Sequence, residues 1–490
     1  MSQDRPQFYK NTLELPAVDK RALHQTLVDL QDAVLDGVRI IESGHPPSGQ
    51  CDGKGIFGGD IGIGLAYLRL AQQTTSLTQN SESLPDFYNL AGARVPEHGP
   101  DFPLQIGGLS PLPSKSPLAA VVLRILHKSA TGSAGSISDS DLTCLNDAME
   151  MALNHGSVAF YNGHHLVAEF PFAQRKLLQP SLEAIPEVLG AIFEAGREGA
   201  AEFVKKHGEE GALPLMWPWL PGHYGFAGII PILLSCDPDE LSNNAHDYLP
   251  EIGATITALC KLCISHDGHL PTTIPPRSAS SSRPSELVQI CHGAPAILAL
   301  LGCAKKHTDL LVNHWEPEWD HATRLAAERV WEEGLLSKGG SLCHGIAGNA
   351  WPFLLLHDVF EYHTDTLQKA RETYTTRTLN PHTPESQLTG DYFLTRALAM
   401  LLHARETKPY NQEPEGTAND YRIPDQPYSF FEGLSGTVCA WAEAAAVIRA
   451  RLRKFEVGGG NLDQDALFKK RMQQQLGFPC LGGNGVKGVL

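Results

Sequence analysis

Residues 286–304 read Glu-Leu-Val-Gln-Ile-Cys-His-Gly-Ala-Pro-Ala-Ile-Leu-Ala-Leu-Leu-Gly-Cys-Ala. Two small residues three apart, Gly293 and Ala296, open a run that is apolar nearly all round. Small residues at a helix entry let helix N-termini crowd together, a proline such as Pro295 suits the first helical position, and an all-round apolar helix must be buried. The same pattern recurs at Gly59–Gly62, Gly156–Ala159, Gly225–Gly228, Gly345–Gly348 and Gly433–Gly436. The intervals between first glycines are 97, 69, 68, 52 and 88 residues, each long enough for an inner helix, a loop and an outer helix. Forty-six glycines produce chance matches, yet five of the six copies open an apolar run and three carry His before the first glycine; the Gly156 copy is the weak one.

Between these runs lie amphipathic stretches. Thr323–Leu336 sets Ala326, Ala327, Val330 and Trp331 on one side and Glu328, Arg329, Glu332 and Glu333 on the other, the pattern of a helix covering a core. Buried inner helices and amphipathic outer ones give an all-α fold, a two-layer α/α toroid of six to seven helical hairpins with the motif loops gathered at one end. Thr389–Ala404 is assigned to a seventh hairpin without a motif. At about 150 residues per domain the 490-residue chain has room for two or three domains, but the repeat pattern favours one closed domain over 1–490. Pro, Gly and Ser clusters mark a flexible insertion at 75–117 and loops at Thr272–Ser285 and Leu379–Pro384.

The 39 Lys and Arg against 55 Asp and Glu give a formal charge of −16, which repels phosphate backbones and argues against nucleic acid. Ten cysteines are too sparse for a disulfide scaffold. With neither a signal-peptide core nor a glycine after Met1, the chain is expected in a reducing, cytoplasmic compartment. No apolar run approaches the roughly 18 residues a spanning helix needs.

Two copies carry chemistry. Cys291-His292-Gly293 and Cys343-His344-Gly345 place a thiol and an imidazole at equivalent points of consecutive repeats, side by side at the centre of a toroid. Two Cys and one His make a zinc set with the fourth tetrahedral position open, the mark of a catalytic site. Two buried core cysteines are the plainer alternative, since that is the common fate of an unpaired Cys. Cys260 and Cys263 have CxxC form inside an apolar stretch and read as core; His164, His165, His266 and His269 read as loop or surface residues. Glu432, before the last glycine pair, is either an acid stabilised at a helix N-terminus or a polar wall of the site.

The stretches 286–295 and 330–349, with 422–436 and more weakly 59–70, resemble the lanthionine synthetase C-like proteins, most closely the eukaryotic branch. That resemblance implies an α/α toroid with a central zinc held by Cys291, Cys343 and His344, with His292 beside the site but not a ligand. It implies addition of a thiol, glutathione in the eukaryotic branch, to dehydroalanine or dehydrobutyrine residues of peptides or proteins. Lys338 and Arg422 stand where family members contact glutathione, and Arg5 where another such Arg lies. The family's catalytic His falls in the third copy, where this chain reads Gly222-His223-Tyr224-Gly225, so Tyr224 holds the aligned position and His223 is displaced by one. Ala152 stands where the second copy has Asp in the family. A binding protein that keeps the zinc without turnover is the alternative function; an α/α-barrel glycosidase lacks its pair of carboxylates.

Overall fold

The computed structural model describes residues 5–48, 55–78, 83–97, 99, 102–105, 116–132, 137–154, 185–217, 225–275, 287–380, 385–412, 421–458 and 460–480. Among them there are helices and isolated bridges but no strand. The principal helices are α1 (Lys20–Gly44), α2 (Asp60–Gln72), α3 (Leu118–Ala130), α4 (Asp139–Asn154), α5 (Ile185–His207), α6 (Phe226–Leu233), α7 (Leu249–Ser265), α8 (Ala294–Ala304), α9 (Pro317–Glu333), α10 (Ile346–Tyr362), α11 (Gly390–His403), α12 (Leu434–Val457) and α13 (Ala466–Met472).

Five of these form the inner ring, and each is a run the small-residue pattern marks. Gly59, Gly225, Gly293, Gly345 and Gly433 are the N-caps of α2, α6, α8, α10 and α12. Every residue of α8 is buried, and so are all but the terminal residues of α2 and α10, as their all-round apolar sequence demands. The ring runs from α6 to α8, α10 and α12, and closes where α12 packs on α2, the first inner helix. The outer helices α9 and α11 lie on α8 and α10, and α1 lies on α12, so the first outer helix covers the last inner one. The Gly156 copy falls outside the described residues.

One expectation is refined and one changes. Thr389–Ala404, assigned to a hairpin without a motif, supplies an outer helix: α11 has Phe393, Leu394, Ala397 and Leu398 buried and packs on α10. Within 75–117, residues 83–97 are folded rather than loose. A short helix, Phe87–Gly92, buries Phe87 and Ala91 against α2, and Arg94 behind it pairs with both Asp60 and Glu42. Composition hid this because a few apolar anchors and one buried ion network hold a stretch otherwise rich in Pro, Gly and Ser.

Candidate metal centre

The site is built by backbone before side chains. In four copies the residue two before the capping glycine hydrogen-bonds its counterpart in the neighbouring repeat. The Cys291 N–H donates to the Cys343 carbonyl (3.3 Å), the Cys343 N–H to the Phe431 carbonyl (2.8 Å), and the Phe431 N–H to the Phe57 carbonyl (3.3 Å). Such a relay needs close loops, and the second glycine provides the room. A Cβ at Gly62, Gly348 or Gly436 would lie 2.0, 1.8 or 2.1 Å from the carbonyl oxygen six residues earlier. In the copy that carries Ala296 the crowding falls on Gly293, at φ 142°, whose Cβ would meet the Leu287 carbonyl at 1.8 Å.

A second repeated bond braces the loops from inside. Four residues after the capping glycine, Asn349 donates to the Val288 carbonyl (2.9 Å) and Thr437 to the Gly340 carbonyl (2.7 Å). Each acceptor lies five residues before the capping glycine of the adjoining copy. Asn349 also donates to Gly334 (3.0 Å) and is fully buried. Sequence reading missed both donors, and the only signal was a polar side chain in an otherwise apolar run.

This scaffold brings Cys291, Cys343 and His344 together, their ligand atoms all within 4.8 Å of one another. Both thiols are buried, at 4% and 3% exposure, and the imidazole is half-buried. A hydrogen bond with the Cys343 thiol pushes the Cys291 thiol well above its ordinary pKa; burial and the charge of Cys343 add to this, and Lys338 opposes it. Two thiolates so placed repel each other unless a cation sits between them, and two thiols with one imidazole are the donors zinc takes, with one tetrahedral position left open. The residues fit that metal. His292 adjoins the cluster in sequence and is not part of it. Burial raises the Glu432 carboxyl, opposed by the charge of His344 and a hydrogen bond from Gln426 and helped by Cys343 and Asp425, so its charge is felt beside the cluster.

The three cations singled out in the sequence converge on one junction. The Ser337 N–H donates to the Gln7 carbonyl (3.3 Å) and its hydroxyl to the Pro6 carbonyl (2.6 Å), while the Arg422 N–H donates to the Ser337 carbonyl (2.9 Å). Arg5, Lys338 and Arg422 are therefore carried on three segments tied at Ser337, and all three are exposed. Arg422 pairs with Asp425 three residues on. His223 and Tyr224 lie outside the described residues, as do His164 and His165, and nothing is described of the Ala152 side chain.

The remaining candidates resolve as structure. Cys260 and Cys263 are fully buried in α7, and burial pushes the Cys263 thiol up to about 12, so neither is a reactive thiol at neutral pH. His266 contacts the Leu262 carbonyl at the end of α7, and His269 contacts Glu333.

The family model of the lanthionine synthetase C-like proteins matches residues 223–394, a span that holds Cys291, Cys343, His344 and Lys338. The glutathione S-transferase LANCL1 of Danio rerio is 24% identical over 292 residues, 58% of this chain and 57% of that protein. The LanC-like protein GCL1 of Arabidopsis thaliana is 25% identical over 279 residues, 55% of this chain and 50% of that one. The chain thus spans about half the length of the curated relatives it matches. Among solved structures, a nisin cyclase aligns over 70% of this chain and 93% of its own, at 12% identity and a TM-score of 0.35.

Proposed function

We propose that this chain, whose residues 223–394 match the lanthionine synthetase C-like family model, is a zinc-dependent thiol-adding enzyme, joining glutathione to dehydroalanine or dehydrobutyrine residues of peptides. The observation that carries this reading is the convergence of Cys291, Cys343 and His344 within 4.8 Å at the mouth of the ring. Zinc held there would keep a substrate thiol ionised at neutral pH.

The chain's own groups supply the rest. Lys338 and Arg422, with Arg5 beside them, offer charge-assisted hydrogen bonds to the two carboxylates of glutathione, Arg as a fork and Lys as a point charge. The addition is redox-neutral: the glutathione sulfur bonds to Cβ of the dehydro residue, the Cα=Cβ pair moves onto Cα, and a proton closes the carbanion. His223, with an ordinary pKa of about 6.5, is the better proton donor at neutral pH; Tyr224, near 10, is the weaker. Among the described residues no helix is long and apolar enough to cross a membrane.

The Tyr at position 224 supports a second reading, a glutathione- or peptide-binding protein that retains the metal without turnover. Incubating purified protein with glutathione and a dehydroalanine peptide, with and without a zinc chelator, separates the two. Chelator-sensitive adduct of peptide plus glutathione mass supports the enzyme. Zinc and glutathione binding without adduct supports the binding protein, and absence of zinc removes both.

A further inference from the structure

The motif loops stand at the N-terminal ends of the inner helices; residues 475–480 enter the ring from the other end. After the surface helix α13, residues 475–480 are all buried. Glu443, in the middle of α12, takes the N–H of Leu476 on one carboxylate oxygen (2.9 Å) and that of Gly477 on the other (2.8 Å). Arg69 of α2 donates to the Gly477 carbonyl (2.6 Å) and lies over the ring of Trp351 in α10. Phe478, fully buried, meets the same Trp351 edge to face at 5.3 Å. Gln73 donates both to Glu443 (2.7 Å) and to the Gln474 carbonyl (2.9 Å), while the Gln474 amide bonds Gln72 at the end of α2 and Thr75 and Ser76 in the short helix Thr74–Leu77 that follows. Gly477 has φ 72°, a conformation that favours glycine.

These contacts read backbone as much as side chain. A carboxylate that takes two successive N–H groups, a guanidinium on the carbonyl that follows them and an aromatic partner for the next residue make a receptor for a peptide of the form apolar-Gly-aromatic, with the glycine in the left-handed region. We propose that the far end of the ring is a second peptide-binding site, separate from the metal centre, whose occupant is the chain's own residues 474–478. Because its walls come from the first, fifth and last inner helices of the sequence pattern, the segment clasps the ring at the seam where α12 meets α2. The burial of two charges there fits this role: Arg69 and Glu443 are both inside the protein, and each bonds the backbone of the segment.

Two measurements on the full-length chain test the proposal. In Glu443→Gln, hydrogen exchange at the Leu476 and Gly477 amides should quicken tenfold or more while the amides of α8 keep their protection; unchanged exchange at 476 and 477 overturns the clasp. A labelled peptide of sequence Gln-Gln-Leu-Gly-Phe-Pro should ignore wild type and bind the full-length chain carrying Gly477→Ala and Phe478→Ala, whose own segment is weakened. If wild type binds it equally well, the site is not the one residues 474–478 occupy. A folded double variant that refuses the peptide overturns the receptor.

Discussion

At the residue scale, the candidate metal cluster is legible because thiol and imidazole sit at a fixed offset from a glycine whose role is steric. Cys343→Ala removes one of three donors, and purified variant should carry no stoichiometric zinc by elemental analysis, where wild type carries one per chain. Retention of zinc in the variant would place the metal elsewhere. For the cations, loss of a charge-assisted hydrogen bond is worth roughly 1.5 to 3 kcal/mol. Arg422→Glu should therefore weaken glutathione more than tenfold in calorimetry, and an unchanged affinity would detach Arg422 from the ligand. What the residues alone do not reveal is their internal support: Asn349 and Thr437 look like stray polar side chains until their acceptors, 61 and 97 positions away, are brought beside them.

At the scale of elements, one buried ion cluster ties three helices. Asp320 of α9 accepts from Lys305, at the end of α8 (2.7 Å), and from Arg371 of the helix Thr364–Thr378 (2.8 Å). Burial alone would raise the Asp320 carboxyl, yet the two cations outweigh it and hold the group below the usual carboxylate range. Asp320→Asn leaves Lys305 buried without its counter-charge, a loss of about 3 to 5 kcal/mol in urea unfolding; a change under 1 kcal/mol would show that the cluster opens to water. Helix positions were readable from spacing of apolar residues, since an inner helix must be apolar all round. Ties of this kind were not, because their partners come from separate helices.

For the whole molecule, acid should loosen the ring from inside. Burial pushes the His357 imidazole down to about 4, with its Nδ1 on the Gly390 carbonyl (2.9 Å) where α10 meets α11. The unfolded chain takes up this proton near the ordinary 6.5 and the folded chain only near 4, so stability is full above 6.5 and falls as pH drops through that window. At about 1.4 kcal/mol per pH unit, the pH 7 to pH 5 loss in wild type should exceed that of His357→Gln by about 2 kcal/mol in urea midpoints converted to free energy. Equal losses would exclude His357 as the acid-sensitive group.

The relay of N–H bonds through positions 291, 343, 431 and 57 passes through main-chain atoms only. Whatever side chain occupies such a position, its Cβ is delivered to the same address on the rim, and evolution or an engineer is free to exchange the chemistry there without redrawing the architecture. Two addresses now hold thiols and two hold phenyl rings that stack on each other at 5.2 Å. Phe431→Cys would set a third sulfur beside Cys343 and give the cluster of two thiols and one imidazole a fourth donor.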